Sequence, residues 1–232
     1  MRRDSAIVVL ALSTCAAPAA LRAFEIPDAV VVLESLTAAL PGQVAESAPP
    51  RFALLEGGQV FVGGTSHMLT AKLEGHDLKD LDHRLGEVRK LPGLAGTVSL
   101  GPGRGRYRML LRKGRPLLMV IEGDPDHAAP AFAPLGALLH DLLRFDHPSL
   151  RPYEPTAYAM SAREEKLPGG CRPWPFREAV SAAVFAPRPM PAARLAGWPT
   201  GATPASVCSA DRNYSVTFRP LLPSEVLPGE KP

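Results

Sequence analysis

The chain reads as an α+β protein: an antiparallel sheet with two helices on one face, followed by a proline-rich, disulfide-closed, mostly β or irregular module. Three observations predict this. Residues 51–147 carry short apolar strands broken by Gly turns, together with two leucine-patterned helices. Residues 148–232 hold 15 of the 26 prolines, which excludes long regular helices over most of that stretch. The same stretch holds Cys171 and Cys208, the only pair left once Cys15 is set aside.

Taken in order, Val30 to Leu33 forms a strand or part of a helix. Pro41-Gly42 and Ala48-Pro49-Pro50 then mark a linker. Phe52 to Leu55 and Gln59 to Val62 flank Gly57-Gly58, a hairpin signal. Leu78, Leu81, Leu85 and Val88 recur at helical spacing, with Asp77 as the expected N-cap and Pro92-Gly93 as the stop. Tyr107, Met109 and Leu111 alternate with Arg106, Arg108 and Leu110, a half-buried strand. Lys113-Gly114 turns the chain into an apolar strand from Pro116 to Ile121. Leu135, Leu138, Leu139 and Leu142 mark the second helix, with Pro134 in its first turn. Beyond it, Ala179 to Phe185 reads as a short helix or strand. Tyr214, Val216 and Phe218 alternate as the best strand of the module, after a turn at Asp211-Arg212-Asn213. Pro228 to Pro232 is expected to fray.

The first residues carry an address. Arg2 and Arg3 precede the apolar run Ala6 to Leu12, and small residues from Ser13 to Ala20 follow. This is the pattern of an export signal, too short for the roughly 20 apolar residues that span a bilayer. Leu12-Ser13-Thr14-Cys15 resembles the bacterial lipobox, with Thr14 where Gly, Ala or Ser is usual, and makes Cys15 the lipidation candidate. Cleavage after Ala17-Pro18-Ala19 or near Ala23 is the other reading. The expected organisation is a signal over 1–23, ending at Cys15 if the protein is a lipoprotein, a linker over 24–50, an α+β domain over 51–147 and the proline-rich module over 148–232. Export fits a Cys171–Cys208 disulfide, closing a loop that stabilises by roughly 3–4 kcal/mol. The spacing of the two cysteines is not that of a redox or zinc pair. The expected location is outside the cytoplasm: the periplasm, the membrane as an anchored lipoprotein, or the medium. A formal net charge of only +3 argues against a nucleic-acid partner.

Residues 51–145 resemble the emfourin type of small bacterial domain. The likeness rests on Phe52 to Leu55 followed by Gly57-Gly58, and on Leu73-Glu74-Gly75-His76-Asp77-Leu78 opening a leucine-patterned helix. It continues in Tyr107 within a strand and in Pro134-Leu135 leading the last helix. The chain departs from the pattern at Gln59 to Val62, where a Gly-rich turn is usual. It departs again at Arg104 and Arg106, where an acidic residue usually precedes the strand tyrosine. The resemblance implies inhibition of a thermolysin-like metalloprotease.

The search for chemistry finds no complete motif. Gly101-Pro102-Gly103-Arg104-Gly105 lacks the Lys-Ser/Thr of a phosphate loop. Ser66-His67 lacks a nucleophile elbow. His76 and His83 stand seven residues apart on the first helix, too far for one metal ion. Glu164 and Glu165 are adjacent, and Asp124-Pro125-Asp126 is a turn. Trp174 and Trp198 serve as a carbohydrate platform or as core. No catalytic, cofactor or metal residue is assigned. Arg104, Arg106, Arg108, Arg112, Lys113 and Arg115 form the densest cationic run, either an anion or partner site or the solvated face of a sheet. The expected function is that of an exported, non-enzymatic envelope binding or accessory protein with a protein partner. That partner is an envelope protein or a secreted protease, and membrane contact is made only through a lipid anchor. Protease inhibition and a secreted hydrolase are the alternatives.

Overall fold

The computed structural model describes residues 26–36, 49–63 and 67–227. The expected signal over 1–23, Cys15 and the terminal 228–232 lie outside the described residues, as does 37–48 of the expected linker.

The first sheet is built from β1 (Ala29–Ser35), β2 (Phe52–Leu55), β3 (Gln59–Val62), β4 (Leu69–Lys72), β5 (Gly96–Ser99), β6 (Arg106–Leu111), β7 (Leu117–Glu122) and β8 (Arg151–Pro152), in the order β5-β7-β6-β1-β2-β3-β4-β8. Helices α1 (Gly75–Arg89) and α2 (Ala133–Leu143) cover one face. Strand alternation sends Val31, Leu33, Phe52, Leu54, Met109 and Leu111 to that face, against Leu81, Leu85 and Val88 of α1 and the leucines of α2. Each such fully buried side chain contributes about 1.5–3 kcal/mol. The α+β class and the two helices on one face are as the sequence predicts.

Four expectations need correction. Residues 24–50 are not all linker, because Ala29–Ser35 is a central strand, hydrogen-bonded to β2 on one side and β6 on the other. The first sheet does not stop at 147, since Arg151 and Pro152 pair with Thr70 and Leu69. The sheets are mixed rather than antiparallel: β5 runs parallel to β7. Asp77 is not the N-cap of α1; the helix begins at Gly75 after Glu74, and Asp77 sits in its first turn, where its charge still complements the helix dipole.

The second sheet contains β9 (Ala157–Glu164), β10 (Arg172–Pro173), β11 (Arg188–Pro191), β12 (Gly201–Ser209) and β13 (Arg212–Pro220), in the order β10-β12-β13-β9-β11. A short helix, α3 (Ala182–Phe185), packs on it. Prolines sit where the ladder tolerates them: Pro189 and Pro191 in edge strand β11, and Pro204 where the β12–β13 register slips between Gly201 and Ala205. Cys171 and Cys208 are joined with Cα atoms 5.4 Å apart. The bond anchors β10 to β12, beside the hydrogen bond from the Trp174 N–H to the Cys208 carbonyl, 3.0 Å.

After β13 the chain returns to the first sheet at residues 221–224. Leu222 joins Val32, Ala53, Phe61 and Met68 on the face opposite the helices. The Tyr153 hydroxyl donates to the Leu221 carbonyl at 2.8 Å, and the Ser224 hydroxyl donates to Asp28 at 2.6 Å. Among the described residues no helix is long and apolar enough to cross a membrane.

Candidate functional site

The cationic run does not assemble into one surface. Arg104 is exposed in the Gly-rich turn before β6. Arg106 reaches Glu122 on β7 at 3.1 Å. Arg108 is buried, 7% exposed, against Glu34 of β1, its direct cross-strand neighbour. Arg112 donates to the carbonyls of Ile26 and Pro27 at 2.6 and 3.0 Å, Lys113 meets Asp82 at 2.5 Å, and the Arg115 carbonyl accepts from Arg89 at 2.9 Å. Most of the run therefore ties strands, turns and α1 together. Arg104 and the Arg115 side chain remain at the surface.

Arg112 and Lys113 do share one concavity. A groove of about 460 Å³ opens where the start of β1, the β2–β3 turn, α1 and the β6–β7 turn meet. Val30, Leu54 and Leu78 supply its apolar floor, and Glu56, Asp82, Arg112 and Lys113 stand at its rim. The turn that closes it requires glycine. Gly58 has φ +89°, and a Cβ there would run into the Leu73 carbonyl. The Leu73 N–H also donates to the Gly58 carbonyl at 2.8 Å, docking the turn onto the approach to α1.

A second groove, about 280 Å³, lies between α1 and α2. Leu73, Leu81, Leu138, Leu142 and Phe145 form its apolar walls; His76, Asp77, Asp80, Arg84, Asp141, Asp146 and His147 are its polar members. Here the structure joins residues 70 apart in sequence: His147 Nε2 lies 3.2 Å from Asp77 Oδ2. His147 Nδ1 lies 2.7 Å from the Ser149 hydroxyl and also accepts the Ser149 backbone N–H at 3.2 Å. The imidazole stacks on Phe145 at a tilt of 16°. His83, by contrast, is exposed elsewhere on α1. Among the described residues no three His, Cys, Asp or Glu side chains are placed to hold a metal ion.

Ionisation is perturbed mainly outside these grooves. The Asp126 backbone N–H holds the Asp124 carboxyl below its usual range, with His127 adding to the effect. Burial pushes the Tyr107 phenol up, aided by the charge of Asp124. Burial pushes the Tyr153 phenol up to about 12, with Glu225 second.

Trp174, Phe176 and Trp198 meet edge-on or tilted, with ring centroids 4.7–5.6 Å apart. Trp198 passes the contact on to buried Phe218 at 6.1 Å. Crossed rings give no flat platform for a sugar, and the cluster packs against the second core.

Sequence reasoning missed the Asp77–His147 contact, for which spacing carries no signal, and the part of the first groove built by the start of β1. The Gly57-Gly58 turn and the Arg112-Lys113 pair were the two visible pieces. Comparison with known proteins places no relative beside the chain: no family model matches it, and neither a curated protein nor a solved structure is significantly similar.

Proposed function

We propose that the chain is an exported, non-enzymatic binding protein of the cell envelope, and that the groove between the start of β1 and α1 receives an apolar side chain of a protein partner. The groove is the observation that carries this reading. Val30, Leu54 and Leu78 line it together with Glu56, Arg112 and the Lys113–Asp82 ion pair. Recognition sites take this form, with apolar area for affinity and a few charged groups for orientation. The Cys171–Cys208 disulfide is consistent with an oxidising compartment, and the Arg2-Arg3 and Ala6 to Leu12 pattern supports export.

A photo-cross-linking residue at Glu56, in the native host, tests this, with Arg163 on β9 as the control position. A defined protein captured from Glu56 and not from Arg163, and lost with Leu78→Glu, is the expected result. Equal capture from both positions contradicts it. The emfourin resemblance supports a narrower version in which the partner is a thermolysin-like protease. In that case the purified chain lowers the protease's activity on titration.

One observation favours a second reading, a hydrolase. In the Asp77–His147–Ser149 line, Ser149 would add to an acyl carbonyl as His147 Nδ1 takes its proton. His147 would then return that proton to the leaving group while Asp77 holds Nε2–H. Binding leads, because Nδ1 is shared with the Ser149 backbone N–H, which is the hydrogen bonding of a simple turn.

A further inference from the structure

Three large hydrophobic side chains stand well exposed among the described residues: Leu118, Val184 and Phe185. Two of them are adjacent at the end of α3, and Phe185 keeps 90% of its surface in solvent. The module's other large aromatics Trp174, Phe176 and Trp198 are half-buried against the second core, whereas this ring stays outside.

The charge of the flanking sequence is one-sided. Residues 171–200 contain four arginines, Arg172, Arg177, Arg188 and Arg194, against one acidic residue, Glu178. Arg194 is paired with Glu178, and Arg172 lies over the Trp198 ring at 4.8 Å. Arg177 and Arg188 are exposed; Arg177 lies near enough to Glu178 to help lower that carboxyl, and among the described residues Arg188 forms no ion pair. Arg188 opens β11 three residues after Phe185.

We propose that the α3–β11 corner is a membrane-docking tip: Phe185 and Val184 enter the interfacial region of an anionic bilayer while Arg177 and Arg188 meet lipid phosphates. An aromatic ring suits the headgroup boundary, and arginine binds phosphate through a planar fork. The positive field of the segment complements an anionic lipid surface and not a neutral one. None of its residues lines the β1–α1 groove, and it does not depend on lipidation of Cys15.

The test is co-sedimentation of the full chain with vesicles of phosphatidylcholine alone and of phosphatidylcholine containing phosphatidylglycerol. Binding is expected only to the anionic vesicles and is expected to weaken as salt rises. Phe185→Ser, at a position exposed enough to leave folding intact, is expected to weaken it about tenfold. Arg177→Gln and Arg188→Gln are each expected to weaken it about fivefold. Phe185→Trp should shift its added emission to the blue on anionic vesicles. Vesicle binding that Phe185→Ser leaves unchanged overturns the proposal, as does no binding to anionic vesicles. Self-association of the soluble chain that Phe185→Ser abolishes also overturns it and makes a second copy the occupant; a soluble acidic protein captured through Phe185 in place of lipid does the same.

Discussion

Glu225 grips Arg219 through both carboxylate oxygens, and both side chains are withdrawn from solvent, 0% and 3% exposed. One of the same oxygens accepts the Leu222 backbone N–H at 3.0 Å. Arg219 belongs to β13 of the second sheet, whereas Leu222 belongs to the core on the first. The pair thus pins the chain end where the two sheets are joined. Glu225→Gln keeps the volume and removes the charge that the buried Arg219 guanidinium grips. The expected cost is about 3–5 kcal/mol, read from chemical denaturation. Joint replacement by Arg219→Met and Glu225→Leu should recover much of it. A single variant as stable as wild type contradicts the pin.

Tyr153 gives the fold an alkaline limit. Burial, then Glu225, raises its phenol to about 12, above the usual value near 10. Below pH 10 both folded and unfolded chains hold the proton and the stabilisation is complete. Between about 10 and 12 the unfolded chain releases its proton while the folded one keeps it, so stability falls as pH rises. Tyr153→Phe should flatten this decline in melts taken from pH 9 to 12. Tyr107, raised in the same direction, leaves a smaller residual slope. An unchanged profile in the variant argues against the assignment.

The disulfide ties β10 to the second sheet, an attachment otherwise resting on a two-residue pairing. Cys171→Ser with Cys208→Ser should lower stability by roughly 3–4 kcal/mol. Melting of wild type with reductant should match the double variant. Identical melting of wild type with and without reductant would show that the bridge contributes nothing.

The elements readable in the sequence were those with an unambiguous period: the leucines of α1 and α2, the alternation of β6 and the hairpin about Gly57-Gly58. β1 was legible only as a strand or part of a helix, because it is covered on both faces. Val31 and Leu33 meet the helices while Val32 meets the other core, and a strand buried twice loses its alternation. β12 escaped because Pro204 interrupts it at a register shift. The cationic run misled for a different reason. Alternation placed Arg108 correctly relative to Arg106, but its partner Glu34 lies 74 residues away, beyond any local pattern. The β1–α1 groove is assembled from four chain segments and the α1–α2 groove from two that lie more than 50 residues apart, and only the finished fold brings their residues together.

The Asp77–His147–Ser149 line separates the two functional readings by labelling. On the binding reading, a fluorophosphonate probe leaves the purified chain unmodified. A stoichiometric adduct on Ser149 that His147→Ala abolishes would reverse the order of the two.

Gly58 tests whether the groove depends on its turn. With φ +89° and the Leu73 carbonyl in the path of a Cβ, Gly58→Ala should cost about 1–3 kcal/mol. It should also weaken capture of the partner from Glu56 more than Gly86→Ala does, a glycine with open space around it. Equal effects from the two variants would detach the turn from the site.

The most direct measurement is backbone hydrogen exchange of the chain alone and with the partner captured from Glu56. The account predicts new protection concentrated in residues 27–30, 54–58 and 112–116, which line the β1–α1 groove. Protection confined to other surfaces, with those three segments exchanging as in the free chain, would contradict it.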